Sequence, residues 1–233
     1  MKQVLLALLI GFSVSLFAQE ENKNAEAINK YKEEGNAAYK DKNYEEAFKA
    51  YAEALKLLDT EGTVDEALIY NAGYCAFKAK KYNDAIPYFE KSIELGYKQS
   101  KPYQLLAVVY YKANKVDDMI TNCEAGLKKY PNDAKLKDLT SKAYVKKGLT
   151  YYNKGNSIKK TANESGWNES DPEKFTAEYA KADEEFKNAL PFFEKAYEIN
   201  NKSKKALKAL ENIYRNLDMT EKADEAKAKL DAM

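Results

Sequence analysis

Tyr44-Glu-Glu-Ala47-Phe-Lys-Ala-Tyr51-Ala-Glu-Ala54 returns in altered form as Tyr82-Asn-Asp-Ala85-Ile-Pro-Tyr-Phe89-Glu-Lys-Ser92, and again as Phe186-Lys-Asn-Ala189-Leu-Pro-Phe-Phe193-Glu-Lys-Ala196. In each copy a small residue has a large one three positions before it, an aromatic four after it and a second small residue seven after it. Val116, Met119, Cys123 and Gly126 form a degenerate copy. Positions three, four and seven apart share one face of an α-helix, so each stretch is a helix with one packing face. A second small-residue helix stands upstream of each: Tyr31-x-x-Glu34-Gly35, Ile69-x-x-Ala72-Gly73 and Tyr103-x-x-Leu106-Ala107-x-x-Tyr110. Ala85 follows Ala47 by 38 residues, Met119 follows Ala85 by 34, and Ala223 follows Ala189 by 34. Leu207, Leu210 and Tyr214 complete the last copy.

Small residues such as Gly35, Ala47 and Ala54 let two helices approach closely, and Tyr31, Tyr44 and Tyr51 fill the holes between them. One such pair cannot bury its apolar face alone and must lean on the next. The pattern resembles the tetratricopeptide repeat family, whose unit is two antiparallel helices in about 34 residues. The resemblance covers 28–233. It implies an all-α fold, a right-handed αα-superhelix of about five helix-turn-helix repeats at 28–61, 66–99, 100–133, 141–202 and 204–233. Most of the 19 tyrosines are then packing residues.

The repeat at 141–202 is interrupted. Tyr144, Gly148, Tyr151 and Tyr152 read as a first helix running on to about Lys160. Asn163 to Pro172 is turn-rich, with Asp171 placed to cap a new helix and Pro172 suited to its first position. Phe175, Tyr179, Ala182, Phe186 and Ala189 then continue one amphipathic stripe. We read one repeat with both helices extended and an inserted loop; two weak repeats are the alternative. Trp167, the single tryptophan, reads as a local plug on the helix pair, with an exposed contact at the tip as the alternative.

Composition narrows function. Of 233 residues, 38 are Lys or Arg and 37 are Asp or Glu, and there is no histidine. The absence of a basic excess argues against a nucleic-acid binder that neutralises phosphates. Without histidine there is no Ser-His-Asp triad, Cys-His dyad or imidazole ligand. Cys75 and Cys123 are too few for a four-thiolate zinc site, and whether they pair is open. No cofactor, metal or enzymatic activity is expected. Residues 1–18 have the parts of a secretory signal peptide: Lys2, the apolar run Val4 to Phe17, and Ala18 before a polar stretch. An uncleaved anchor is the alternative. Residues 19–233 would be the mature repeat domain, with no membrane span after cleavage, exported to the periplasm of a Gram-negative bacterium.

In the fold that the resemblance implies, first helices line a concave groove. Lys32, Asn36, Tyr39, Tyr70, Asn71, Tyr74, Lys101, Leu105 and Tyr111 are the expected exposed lining. Rings beside amides and lysines suit an extended peptide. Some family members clamp a peptide's terminal carboxylate with Lys and Asn, then Asn, then Lys and Arg, from three successive repeats. Lys32, Asn36, Asn71 and Lys101 match that pattern, but Leu105 stands where it has Arg. A solvated polar groove is the competing reading. The expected function is a non-enzymatic scaffold binding a protein or peptide partner, with a self-associating structural subunit as the alternative.

Overall fold

The computed structural model describes residues 23–233, which are helical apart from their turns and short connections. The expected leader, 1–18, lies outside the described residues. The chain divides into two compact units, one up to Pro102 and one from Tyr103. The first holds α1 (23–40), α2 (Tyr44–Thr60), α3 (Glu66–Lys78) and α4 (Tyr82–Glu94). Helix α5 (Lys101–Lys112) begins at the division. The second unit continues through α6 (Val116–Lys129), α7 (Ala134–Glu164), α8 (Trp167–Ser170), α9 (Pro172–Ile199), α10 (Lys204–Asn216) and α11 (Thr220–Asp231). None of the described helices is long and apolar enough to cross a membrane.

Four connections repeat one turn. Lys42, Lys80, Asn114 and Asp218 each adopt the left-handed conformation, at φ 60°, 62°, 59° and 55°. The next amide in each case reaches back over the helix end. Asn43 donates to the Ala38 carbonyl at 2.8 Å, and Lys81 to Ala76, Lys115 to Tyr110 and Met219 to Tyr214, each at 2.9 Å. This is the Schellman closure, which satisfies carbonyls that a helix end would otherwise leave without partners. It sets each second helix back against its first. The starts of α3, α7 and α9 are fixed by side chains: Asp65 accepts from Leu68 N–H at 2.8 Å, Asp133 from Leu136 at 2.9 Å and Asp171 from Lys174 at 3.1 Å.

In three of the helix pairs a glycine faces a ring. A Cβ added at Gly35 would lie 2.4 Å from Tyr51 Cε1, one at Gly73 3.3 Å from Phe89 Cε1, and one at Gly148 2.6 Å from Phe193 Cε1. In α5 and α6 the corresponding residues are Ala107 and Cys123, both fully buried. The larger small residue goes with a smaller partner, which is why that copy looks degenerate in sequence.

The long pair extends the same scheme. Helices α7 and α9 have 31 and 28 residues, so α7 is about 46 Å long. Gly155 faces Phe186 as Gly148 faces Phe193: its Cβ would meet Phe186 Cε1 at 2.6 Å. Both glycines and both rings are seven residues apart, so the contact repeats every two turns. Ala162 is buried another seven residues on. On α9, Ala182, Ala189 and Ala196 form a second buried stripe with the same step. Helix α7 starts at Ala134, earlier than the 141 expected, because the Asp133 cap restarts the helix directly after Pro131. The inserted loop contains the short α8, and Trp167 there is half-buried with Lys174 Nζ 3.8 Å from its ring centroid.

Candidate functional site

In the first unit α1 and α3 present the expected polar and aromatic side chains. Asn36 is exposed, and its Oδ1 accepts a hydrogen bond from Tyr51 Oη at 2.8 Å. The bond occupies the amide oxygen and leaves the NH₂ group of this exposed side chain as a donor. Tyr51 is buried, and burial pushes its phenol up to about 12. Tyr39 is 41% exposed. Its ring meets Tyr44 edge-on at 5.8 Å and lies 6.2 Å from Tyr74. Burial and the neighbouring Tyr74 raise its phenol as well. Lys78 Nζ stands 5.3 Å over the Tyr44 ring, extending this aromatic surface toward a cation. Asn71 and Tyr74 are half-buried.

Lys32 is not free. Its ammonium pairs with Asp65 Oδ2 at 2.7 Å. Burial pushes the Asp65 carboxyl up, but the Lys32 ammonium and the Leu68 N–H together outweigh it and hold the group below its usual range. The same carboxylate therefore caps α3 and neutralises the lysine. The structure also corrects the expectation that Tyr70 is exposed: it is 8% accessible. Its ring lies 5.9 Å from Phe89 and 5.8 Å from Tyr97, with Lys98 Nζ 5.1 Å over it. Lys101 is exposed at the start of α5.

In the second unit Leu105 and Tyr111 are half-buried. Two ammonium groups from α7 cover the Tyr111 ring, Lys142 at 4.7 Å and Lys146 at 4.4 Å. Lys146 Nζ also donates to the Tyr111 carbonyl at 3.3 Å. Sequence reasoning missed Asp65, Lys142 and the hydroxyl of Tyr51. Asp65 carried a signal, an Asp three residues before the first apolar position of a helix. Lys142 carried none, because its partner lies on a different helix pair. Cys75 and Cys123 are buried free thiols, and burial pushes both up to about 12.

Residues 67–95, which span nearly all of α3 and α4, match the family model for the tetratricopeptide repeat. Among curated proteins, the STIP1 homolog of Dictyostelium discoideum is 30% identical over 117 residues, 50% of this chain and 20% of that protein. Human DnaJ homolog subfamily C member 7 is 29% identical over 102 residues, 44% of this chain and 21% of that protein. The chain thus spans about a fifth of the length of these relatives. Among solved structures, YrrB, described as a protein of the same repeat class with an unusual peptide-binding site, is 19% identical with a TM-score of 0.52. The match covers 92% of this chain and 89% of that one. MamA is 17% identical with a TM-score of 0.50, over 88% and 91% of the two chains. At these identities the structural likeness concerns the fold.

Proposed function

We propose that this tetratricopeptide-repeat protein works as a scaffold that binds a peptide segment of a partner protein on its first-helix faces, with no catalytic role of its own. The observation that carries this reading is the Asn36–Tyr39–Tyr74 surface of the first unit. Tyr51 leaves an amide donor on Asn36 beside two partly exposed rings. An extended peptide needs such donors for its carbonyls and flat apolar area for its side chains, and rings supply that area at low entropic cost. The helices hold these groups in place, so little ordering is needed on binding. The likeness to YrrB, itself described as having a peptide-binding site, supports the same reading.

The carboxylate clamp is the less favoured form of this function. An incoming carboxylate would have to displace Asp65 from Lys32, a charge-assisted contact at 2.7 Å. Leu105 also supplies no guanidinium for bidentate capture. We further propose export to the periplasm, on the leader-like composition of residues 1–18; N-terminal sequencing of the protein recovered from the periplasmic fraction tests this, and an intact Met1 there would overturn cleavage.

The binding reading is tested with a random-peptide display selection against the folded chain, followed by calorimetry on the enriched peptides. Asn71→Ala with Tyr74→Ala should weaken the selected peptides about tenfold or more while helical circular dichroism is unchanged. Enrichment of no sequence, or equal affinity for the double variant, would overturn the reading. Light scattering separates the self-assembling alternative, which requires a mass above that of the monomer at micromolar concentration.

A further inference from the structure

The second unit contains a hollow of about 550 Å³ between α7 and the α9–α10 turn, lined by Lys142, Lys202, Lys204 and Lys205. A single carboxylate, Asp138, shares the lining, and Lys135 already stands 3.4 Å from it. None of the four lining lysines makes an ion pair among the described residues, nor does Lys146 beside them, in a chain whose formal charges nearly cancel.

Here the local arrangement runs against electrostatics. Helix α10 opens with Lys204 and Lys205 and has no acidic residue in its first turn, the opposite of the sign that the helix dipole favours there. Lys142 and Lys146 both stand against one ring, Tyr111. A ring quadrupole offsets one desolvated cation modestly and does little for two that repel each other. An external anion would relieve both conflicts.

We infer that this hollow is a docking site for an acidic peptide segment of a partner protein. Its lysines come from α7, the turn and α10, so the positive charge is drawn from three segments of the chain. Carboxylates repeated along a chain match that spread. Val145 in the floor can take the methylene stems of glutamates, and Asn200 can pair with their main chain. The near-neutral chain as a whole lacks the extended positive field that a nucleic-acid backbone requires. None of these residues belongs to the Asn36–Tyr39–Tyr74 surface, so either site can exist without the other.

Fluorescence anisotropy of the full chain with labelled octaglutamate tests the inference. Binding should weaken steeply with salt, and octaglutamine should not bind. Lys142→Gln with Lys205→Gln should weaken octaglutamate about tenfold or more. Lys227→Gln with Lys229→Gln, which removes the same charge from α11, should change it less than about twofold. Asn71→Ala with Tyr74→Ala should leave it unchanged, which separates failure of this site from failure of the first. Equal losses in the two lysine double variants would reduce the effect to diffuse charge and overturn the proposal. So would octaglutamine binding as tightly, or displacement of the probe by inorganic phosphate or an oligonucleotide at matched charge.

Discussion

Gly35 connects the core of the first helix pair to its exposed face. It leaves room for the Tyr51 ring, and Tyr51 in turn orients Asn36. Gly35→Ala places a Cβ at 2.4 Å from Tyr51 Cε1, so the ring must move. A better helix residue gains about 1 kcal/mol in propensity, but overpacking costs about 1–3 kcal/mol. We expect a net loss of stability in urea titration, and a loss of peptide affinity beyond it as Asn36 is released. Tyr51→Phe keeps the packing and should affect binding alone. The buried thiols give a pH signature. Unfolded cysteines lose their protons near pH 9, whereas folded Cys75 and Cys123 hold theirs to about 12. The folded state then binds more protons across that window, so stability is full below about pH 9 and falls as pH rises toward 12. Urea midpoints at pH 8 and 10.5 should show the drop, and Cys123→Ala should make it shallower. At this scale the sequence showed which residues pack but not which polar atoms meet. Lys32 and Asp65 are far apart in the chain, and their pairing depends on how one helix pair leans on the next.

The turn after each first helix asks for glycine, and four times the chain puts another residue there. Lys80 sits at φ 62° and is exposed. A side chain in this conformation costs about 1 kcal/mol or more, while glycine costs somewhat less than that in the freedom of the unfolded chain. Lys80→Gly is therefore expected to stabilise by about 0.5 kcal/mol, a rise of about 1–2 °C in Tm. Lys80→Val should destabilise, since a β-branched residue tolerates positive φ worst. Asn114→Gly should gain less than Lys80→Gly, because asparagine already tolerates this region. Helix pairing was legible in the sequence because small and aromatic residues recur at steps of three and four. The start of α7 was not, since the Asp133 cap lies outside that pattern. The site was legible only in type. Tyr70 shares the periodicity of an exposed position, yet Tyr97 and Lys98, which follow α4, close over it. The lysines at 202, 204 and 205 are plain in sequence, but Lys142 joins them only once α7 is laid beside the turn.

At the scale of the molecule, the contacts described above lie within a helix pair or between pairs that follow each other in the chain, so stability should add up pair by pair rather than reside in one centre. Phe186 tests this. It is fully buried, fills the space left by Gly155 and lies 5.5 Å from the Tyr152 ring. Phe186→Ala removes that volume at a cost of about 3–5 kcal/mol, a large share of the 5–15 kcal/mol that holds a typical domain folded. If cooperativity spans residues 23–233, hydrogen exchange should accelerate by a similar factor in every helix. If nearest-neighbour packing dominates, the loss stays local. Amides of α7, α9 and α10, which pack on one another, should exchange about a hundredfold faster or more, while those of α2, α3 and α4 keep their rates. We expect the second pattern. The heptad contacts Gly148–Phe193 and Gly155–Phe186 hold α7 and α9 to each other. Uniform acceleration would mean that the two units unfold as one body, and the additive picture of this chain would have to be abandoned.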